Sequence, residues 1–413
     1  MIKKLLLSNL FIVLWCGLCF AQTTSLQYYI DNGLRNSPLL KDYQNQVELN
    51  KYDSLLIRAT TRPQVTGSTL NSYAPVIKGF GYDGAITNGG NFTTLIGVNK
   101  SIPNKKGLAA QFENLQLQNQ ERRNTSKITE QDLMRSIVAQ YITAYGSLQQ
   151  LNFNKEINVL LAREEIILKK LTQANVYRQS DYLAFLVTMQ QQTFLIKQSA
   201  IQFRNDYATL NYLSGITDTT TRELQKPDIA LKTLPGISSL VFFRKFEIDS
   251  LRLINSKTLV DVSYKPRINL FADAGFNSTF AYQAYKNFGT SFGISATVPI
   301  YDGKQKKLQY SKIAIAEKTR KNYQSFFTSQ YQQQIAQLTQ QLNATDELIN
   351  DINNQLKYTQ SLIDVNGKLL ETGEARITDY VLALNNYINA KNLITQNTIA
   401  RLQIINQINY WNR

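Results

Sequence analysis

Two stretches of the chain, residues 105–173 and 303–371, contain no proline and very little glycine: Gly107 and Gly146 in the first, Gly303 and Gly367 in the second. Proline and glycine are the residues that stop a helix. Each stretch therefore predicts one helix of some 65 residues, roughly 100 Å long at 1.5 Å per residue. Such a helix outruns an ordinary globular core and can bury an apolar stripe only against a partner of similar kind. A partner follows each time. Residues 181–213 carry Leu183, Leu186, Met189, Phe194 and Ile201, and residues 379–411 carry Val381, Leu384, Ile388, Ile394, Ile405, Ile408 and Trp411, mostly at three- and four-residue steps. Each pair predicts an antiparallel helical hairpin. The remaining faces are Gln, Asn, Ser and Thr. In 330–341 the spacing of Ile335 and Leu338, continued by Leu342, favours helix over an amide-rich disordered tract.

The hairpins belong to a duplicated unit. Asn91-Phe92-Thr93-Thr94-Leu95-Ile96-Gly97-Val98, running on to Ile102-Pro103, matches Asn287-Phe288-Gly289-Thr290-Ser291-Phe292-Gly293-Ile294, running on to Val298-Pro299, at an offset of 196 that also sets Gly107 on Gly303. Ser180-Asp181-Tyr182-Leu183 matches Thr378-Asp379-Tyr380-Val381 at 198, and Arg62-Pro63-Gln64-Val65 matches Lys265-Pro266-Arg267-Ile268 at 203. Each copy reads helix, strand, strand, long helix, long helix. The first copy spans 22–214 (strand pair about 62–102, hairpin about 104–214) and the second 238–413 (strand pair about 265–300, hairpin about 303–413). A linker at 215–237, with Gly215, Thr217, Pro227, Pro235 and Gly236, joins them.

The strands alternate with period two. Phe288, Thr290, Phe292, Ile294, Ala296, Val298 and Ile300 form one face and small polar residues the other; Phe92, Thr94, Ile96, Val98 and Ile102 repeat the pattern, broken by Lys100. Ile268, Leu270, Ala272, Ala274 and Phe276 make a third apolar face, while 65–73 alternates poorly. A last strand of a dozen or so residues exceeds the usual globular strand and approaches a membrane-spanning one. Four strands cannot close a membrane barrel, so a closed wall needs several chains.

Composition removes many alternatives. The chain has 413 residues and no histidine, which excludes His-based acid/base catalysis, Ser-His-Asp triads and His-containing metal sites. Met1-Ile2-Lys3-Lys4, the apolar run 5–20 and Cys19-Phe20-Ala21 predict an export signal at 1–21 cleaved before Gln22. Both cysteines, Cys16 and Cys19, fall inside it; Trp15 and Leu18 are bulky where a lipidation site favours a small residue, so cleavage is the expected outcome and lipidation the lesser alternative. Lys+Arg 45 against Asp+Glu 30, less Lys3 and Lys4, leaves (45 − 2) − 30 = +13. The basic residues are dispersed, and with an export signal they do not point to nucleic acid. Lys304, Lys306 and Lys307 cluster after a strand, a pattern more common for a solvated face than for lipid head groups. Gly79-Phe80-Gly81-Tyr82-Asp83-Gly84 matches G-x-G-x-x-G but is followed by another strand, not the helix a dinucleotide site needs. Glu164-Glu165 and Asp346-Glu347 are helix neighbours and do not face each other as a catalytic pair would. No cofactor, metal or catalytic constellation is expected, and the chain does not read as an enzyme.

The duplicated layout resembles the TolC-type outer-membrane efflux protein family. So do Arg62-Pro63 and Lys265-Pro266, Val298-Pro299-Ile300-Tyr301-Asp302-Gly303, and Gly373-Glu374-Ala375-Arg376-Ile377-Thr378-Asp379-Tyr380 followed by Tyr387-Ile388-Asn389-Ala390-Lys391. The ordered set carries the resemblance, across essentially the whole chain after the signal. It implies a mainly α fold with β: long helical hairpins forming a helical barrel, and four strands per chain contributing to a trimeric, twelve-stranded transmembrane barrel. It also implies an outer-membrane protein of a Gram-negative bacterium that extends into the periplasm, in contact with outer-membrane lipid. Its partners would be a periplasmic adaptor (membrane fusion protein) and an inner-membrane transporter, in an efflux or type I secretion system. By the same resemblance, Arg178, Ser180 and Asp181, with Gly373, Arg376, Thr378 and Asp379, would lie at the hairpin tips that form the periplasmic entrance and meet the adaptor. Some members carry two tip acids three residues apart; here Asp379 matches the first and Leu382 stands at the second. Ser180-Asp181 and Thr378-Asp379 also read as helix N-caps followed by a first-turn acid. Capping and gating both remain open for Asp379. A periplasmic coiled-coil adaptor or scaffold without a pore is the competing reading, and it fits a single hairpin better than a duplicated strand-strand-helix-helix unit.

Overall fold

A computed structural model of the chain describes residues 24–82, 90–279 and 284–412. The predicted signal segment, with Cys16 and Cys19, lies outside the described residues, as do Asp83 and Gly84 of the glycine-rich loop. In chain order the elements are α1 (Leu26–Asn36), α2 (Pro38–Thr60), β1 (Gln64–Tyr73), β2 (Gly90–Ile102), α3 (Lys105–Gln173), α4 (Gln179–Leu213), α5 (Val241–Ser263), β3 (Arg267–Ser278), β4 (Phe288–Thr297), α6 (Gln305–Glu371) and α7 (Ile377–Asn409). The two proline-free stretches are single helices of 69 and 67 residues. No helix among the described residues is long and apolar enough to cross a membrane.

The chain divides into two compact units. One comprises Lys41–Ser126 and Val241–Phe327. Its strands form one antiparallel sheet in the order β1-β2-β3-β4. The ladders pair Gln64 with Asn99, Ile102 with Ile268, and Arg267 with Thr297. This register puts the apolar alternation of three strands on one face: Ile96 beside Ala274 and Thr290, Val98 beside Ala272 and Phe292. That face is uncovered. Phe292 is 88% exposed and Ile294 73%, where a soluble sheet would bury them against a core. The other face is mostly Thr, Ser, Asn and Gly, with Asp273 accepting a hydrogen bond from Ser291 Oγ at 2.7 Å. The segment 65–73 alternates poorly because Gly67, Thr69 and Asn71 occupy its positions on the apolar face.

Two expectations need correction. The last strand ends at Thr297, well short of Ile300, since Pro299 has no amide to donate to a ladder. The long strands are β2 and β3, with 13 and 12 residues. Gly107 and Gly303 align in sequence but play different parts. Gly303 precedes α6 with φ +61, whereas Gly107 lies inside α3, where a Cβ would stand 2.5 Å from Val262 Cγ1. Asp302 starts α6: its carboxylate accepts from the amides of Lys306 (2.8 Å) and Lys304 (2.9 Å), which hold it below the usual carboxylate range. Next to it, Lys306 lies 3.0 Å from Asp261, which also accepts from the Tyr310 hydroxyl.

The other unit comprises Met1–Leu40, Lys127–Leu240 and Thr328–Arg413. Three apolar clusters hold it. Tyr29, Ile137, Tyr141, Phe203, Tyr207 and Leu210 join α1 to α3 and α4. Phe153, Leu161, Leu168, Phe185, Leu370, Tyr380 and Leu384 join the ends of α3, α4, α6 and α7. Leu338, Leu342, Ile405 and Ile408 join α6 to α7. Amides reinforce these contacts. Asn154 is buried, its carbonyl receives Gln192 Nε2 at 2.8 Å, and Asn406 Nδ2 donates to the Arg135 carbonyl at 3.0 Å. Part of the amide-rich surface thus bonds helix to helix instead of facing water.

A paired substitution tests the sheet. A Cβ on Gly275 would stand 2.1 Å from the Thr94 carbonyl oxygen, whereas one on its ladder partner Gly289 meets nothing within 4 Å. Gly275→Val should destabilise the sheet by about 1–3 kcal/mol and Gly289→Val should leave the thermal midpoint unchanged; equal midpoints for the two variants would contradict the register.

Candidate functional site at the hairpin tips

The turns α3–α4 and α6–α7 share one construction at an offset of 198. α3 ends with the Val176 amide donating to the Leu171 carbonyl (2.9 Å), and α6 with the Glu374 amide donating to Leu369 (2.8 Å). Between them Asn175 has φ 61 and Gly373 has φ 78. This is the six-to-one closure that needs a left-handed residue just past a helix, where Gly and Asn are the tolerated types. Gly373 has a second reason to be glycine, since a Cβ there would lie 2.9 Å from Val176 Cγ1.

The next helices begin at Gln179 and Ile377. The cap positions are Arg178 (φ −75, ψ 144) and Arg376 (φ −78, ψ 149), neither of which makes a side-chain cap bond. The expectation that Ser180 and Thr378 cap these helices is therefore corrected: both sit inside the first turn. Asp181 and Asp379 are first-turn acids as expected. The two tips then diverge. Arg376 grips Asp379 with two parallel bonds, Nη2 to Oδ1 at 2.9 Å and Nε to Oδ2 at 3.0 Å. The Arg376 guanidinium holds the Asp379 carboxyl below its ordinary value. In the first tip Ser180 Oγ donates to Asp181 Oδ1 at 3.3 Å, and Arg178 forms no ion pair with Asp181. Arg178, Ser180, Arg376 and Thr378 are exposed.

Two contacts of this region were not foreseen from sequence. The Tyr177 hydroxyl lies 2.8 Å from the Ala375 carbonyl and 3.0 Å from that of Leu370, tying one tip to the other; burial pushes its phenol up. Beneath the tips, Glu164 and Tyr380 are buried, and neither Glu164 Oε2 nor the Tyr380 hydroxyl has a hydrogen-bond partner. Burial raises the Glu164 carboxyl, opposed by Arg163 and assisted by Glu371. Glu165 next to it points elsewhere and accepts from Tyr182. Among the described residues no cluster of three metal-ligating side chains forms.

Two measurements follow from this geometry. Tyr177→Phe removes the link between tips, and hydrogen exchange at the amides of 370–376 should accelerate by an amount matching about 1 kcal/mol; unchanged exchange would contradict the link. Glu164 has a raised folded pKa, so it binds its proton more tightly when folded and its stabilising share is lost as pH rises. Glu164→Gln should therefore raise the thermal midpoint at pH 8, and the gain should vanish as pH falls below the ordinary glutamate value of 4.5. A gain independent of pH would contradict burial as the cause.

No protein-family profile and no curated protein matches the chain. Solved structures do. The fold is similar to that of CusC, studied for transmembrane channel formation, with TM-score 0.75 and 13% identity over 95% of this chain and 93% of that one. The outer membrane protein VceC of Vibrio cholerae gives TM-score 0.73 at 11% identity, over 94% and 96% of the two chains. The Neisseria gonorrhoeae MtrE outer membrane channel, in its open state, gives TM-score 0.72 at 12% identity, over 94% and 88%. The chain is built on the fold that these three proteins share.

Proposed function

We propose that this protein is the outer-membrane channel of a tripartite efflux or type I secretion system, a passive duct from periplasm to exterior, and that three copies form it. The uncovered apolar sheet face carries this reading. Phe292, Ile294 and Ile96 lie on a sheet whose outer strands, β1 and β4, each have one strand neighbour. Lipid satisfies the face, and neighbouring copies satisfy the edges. Three sheets of four strands give a closed wall of twelve, within the range of membrane barrels. The likeness to CusC, VceC and MtrE supports the same reading. The two-copy organisation, 22–214 and 238–413 joined by 215–237, belongs to it, with a periplasmic adaptor and an inner-membrane transporter as partners and the outer membrane as location. The chain in this reading moves solutes without chemical conversion.

In this reading Arg178, Ser180, Asp181, Gly373, Arg376, Thr378 and Asp379 form the periplasmic entrance and meet the adaptor. The Arg376–Asp379 pair stiffens one tip turn while the first tip keeps Arg178 available. Reconstituted in planar bilayers, the protein should form discrete channels, and Asp379→Ala should change their conductance or cation preference. Channels unaffected by Asp379→Ala would reject a gating role; a soluble periplasmic monomer would reject the duct in favour of an adaptor without a pore.

A further inference from the structure

The geometry points to a bound anionic phospholipid on the sheet, its acyl chain in a trough over Ala272 and Ala274 and its phosphate at Lys100; this rests on the barrel reading above. On the apolar face, Lys100 is the one charged residue among the described strand positions, in a row with Leu270 and Ile294. It is exposed and engages no ion pair or hydrogen bond. Two residues along the strands, about 7 Å away, lies the row Val98, Ala272 and Phe292. There and in the next row Ala272 and Ala274 sit low between Val98 and Ile96 on one side and Phe292 and Thr290 on the other, leaving an open trough of about 660 Å³ that Phe276 and Phe288 close at its far end.

A lone cation on a lipid-facing surface is costly unless its ammonium reaches a polar layer. Lys100 is two residues from the end of β2, on the side where the chain passes into α3. The acids at that end are already engaged: Asp302 by the amides of Lys304 and Lys306, Asp261 by Lys306 and Tyr310. Lys105, Lys265 and Lys304 add uncompensated positive charge there. The complement of this arrangement is an anion attached to an apolar chain. A free phosphate would leave the trough unused, and a neutral lipid would leave Lys100 unpaired. At the far end of the same face stand Phe92, Phe276 and Phe288, aromatic residues of the kind that mark the opposite membrane boundary. In the proposed function the helices are periplasmic, so the helix end of the sheet, and with it Lys100, faces the periplasmic leaflet, where glycerophospholipids reside.

The test is native mass spectrometry of the full-length protein in detergent, titrated with phosphatidylglycerol or with phosphatidylcholine of the same acyl chains. The wild type should retain phosphatidylglycerol about fivefold better, the ratio expected for one lysine at an anionic headgroup. Lys100→Gln should abolish the preference, and Lys155→Gln, an exposed lysine of α3 in the other unit, should keep it. Ala274→Phe, which fills the trough, should reduce retention of both lipids. Soluble glycerol phosphate should not displace the bound lipid. Equal retention of the two lipids by the wild type, a preference unchanged in Lys100→Gln, or displacement by glycerol phosphate would overturn this inference while leaving the barrel intact. Protein that stays in the soluble fraction without detergent would overturn the barrel reading itself.

Discussion

A β-sheet is stable only when its apolar face is dry and its edge amides are bonded, and the sheet in this chain meets neither condition alone. Phe292, Ile294 and Ile96 project from an uncovered face, and β1 and β4 each lack a neighbour on one side. No helix among the described residues covers the face, where Phe292 and Ile294 stay exposed. The helices α3 and α6 follow β2 and β4 in the chain after Pro103 and Pro299. In the proposed function the missing partners come from outside: hydrocarbon for the face, identical strands for the edges. The oligomer and the membrane insertion proposed above both answer this one deficit.

The helical hairpins show how duplication leaves two similar but unequal ends. Both tips use the same left-handed turn, at Asn175 and Gly373, and the same arginine at the cap position. Divergence is confined to side chains. Arg376 is held by Asp379, Arg178 is not held by Asp181, and Tyr177 of one tip bonds carbonyls of the other. The tips thus share a backbone turn and differ in side-chain electrostatics, which suits the partner-contacting end proposed above. Below them, the unpartnered Glu164 oxygen and Tyr380 hydroxyl lie in an otherwise apolar cluster. Such groups lower the stability of the packing around them.

Much of this architecture was legible in the residues, because periodicity and helix breakers are local signals. The absence of proline from 105–173 and 303–371 marked both long helices, and the alternation of Phe288 to Ala296 marked a strand. Where reasoning fell short, a tertiary contact decided. The preference for Ser and Thr as caps pointed to Ser180 and Thr378, but the turn is closed from the preceding helix by the Val176 and Glu374 amides, which fixes the start two residues earlier. Gly67, Thr69 and Asn71 hid the β1 pattern, since β1 is held by its ladder to β2 more than by its own side chains. The helix-to-helix bonds of Gln192 and Asn406 were invisible, because spacing alone does not tell an amide facing water from one facing a neighbouring carbonyl.

Closure between copies can be read directly by disulfide trapping. Ser68 of β1 and Ser291 or Ser295 of β4 lie on the same polar face of the sheet, the condition for joining cysteines across neighbouring strands. In membranes, Ser68→Cys combined in turn with Ser291→Cys and Ser295→Cys should give, for the pair in register, oxidised products of two and three chains and nothing larger. Products confined to one chain, or a ladder continuing beyond three, would contradict a sheet that is completed by two further copies of itself.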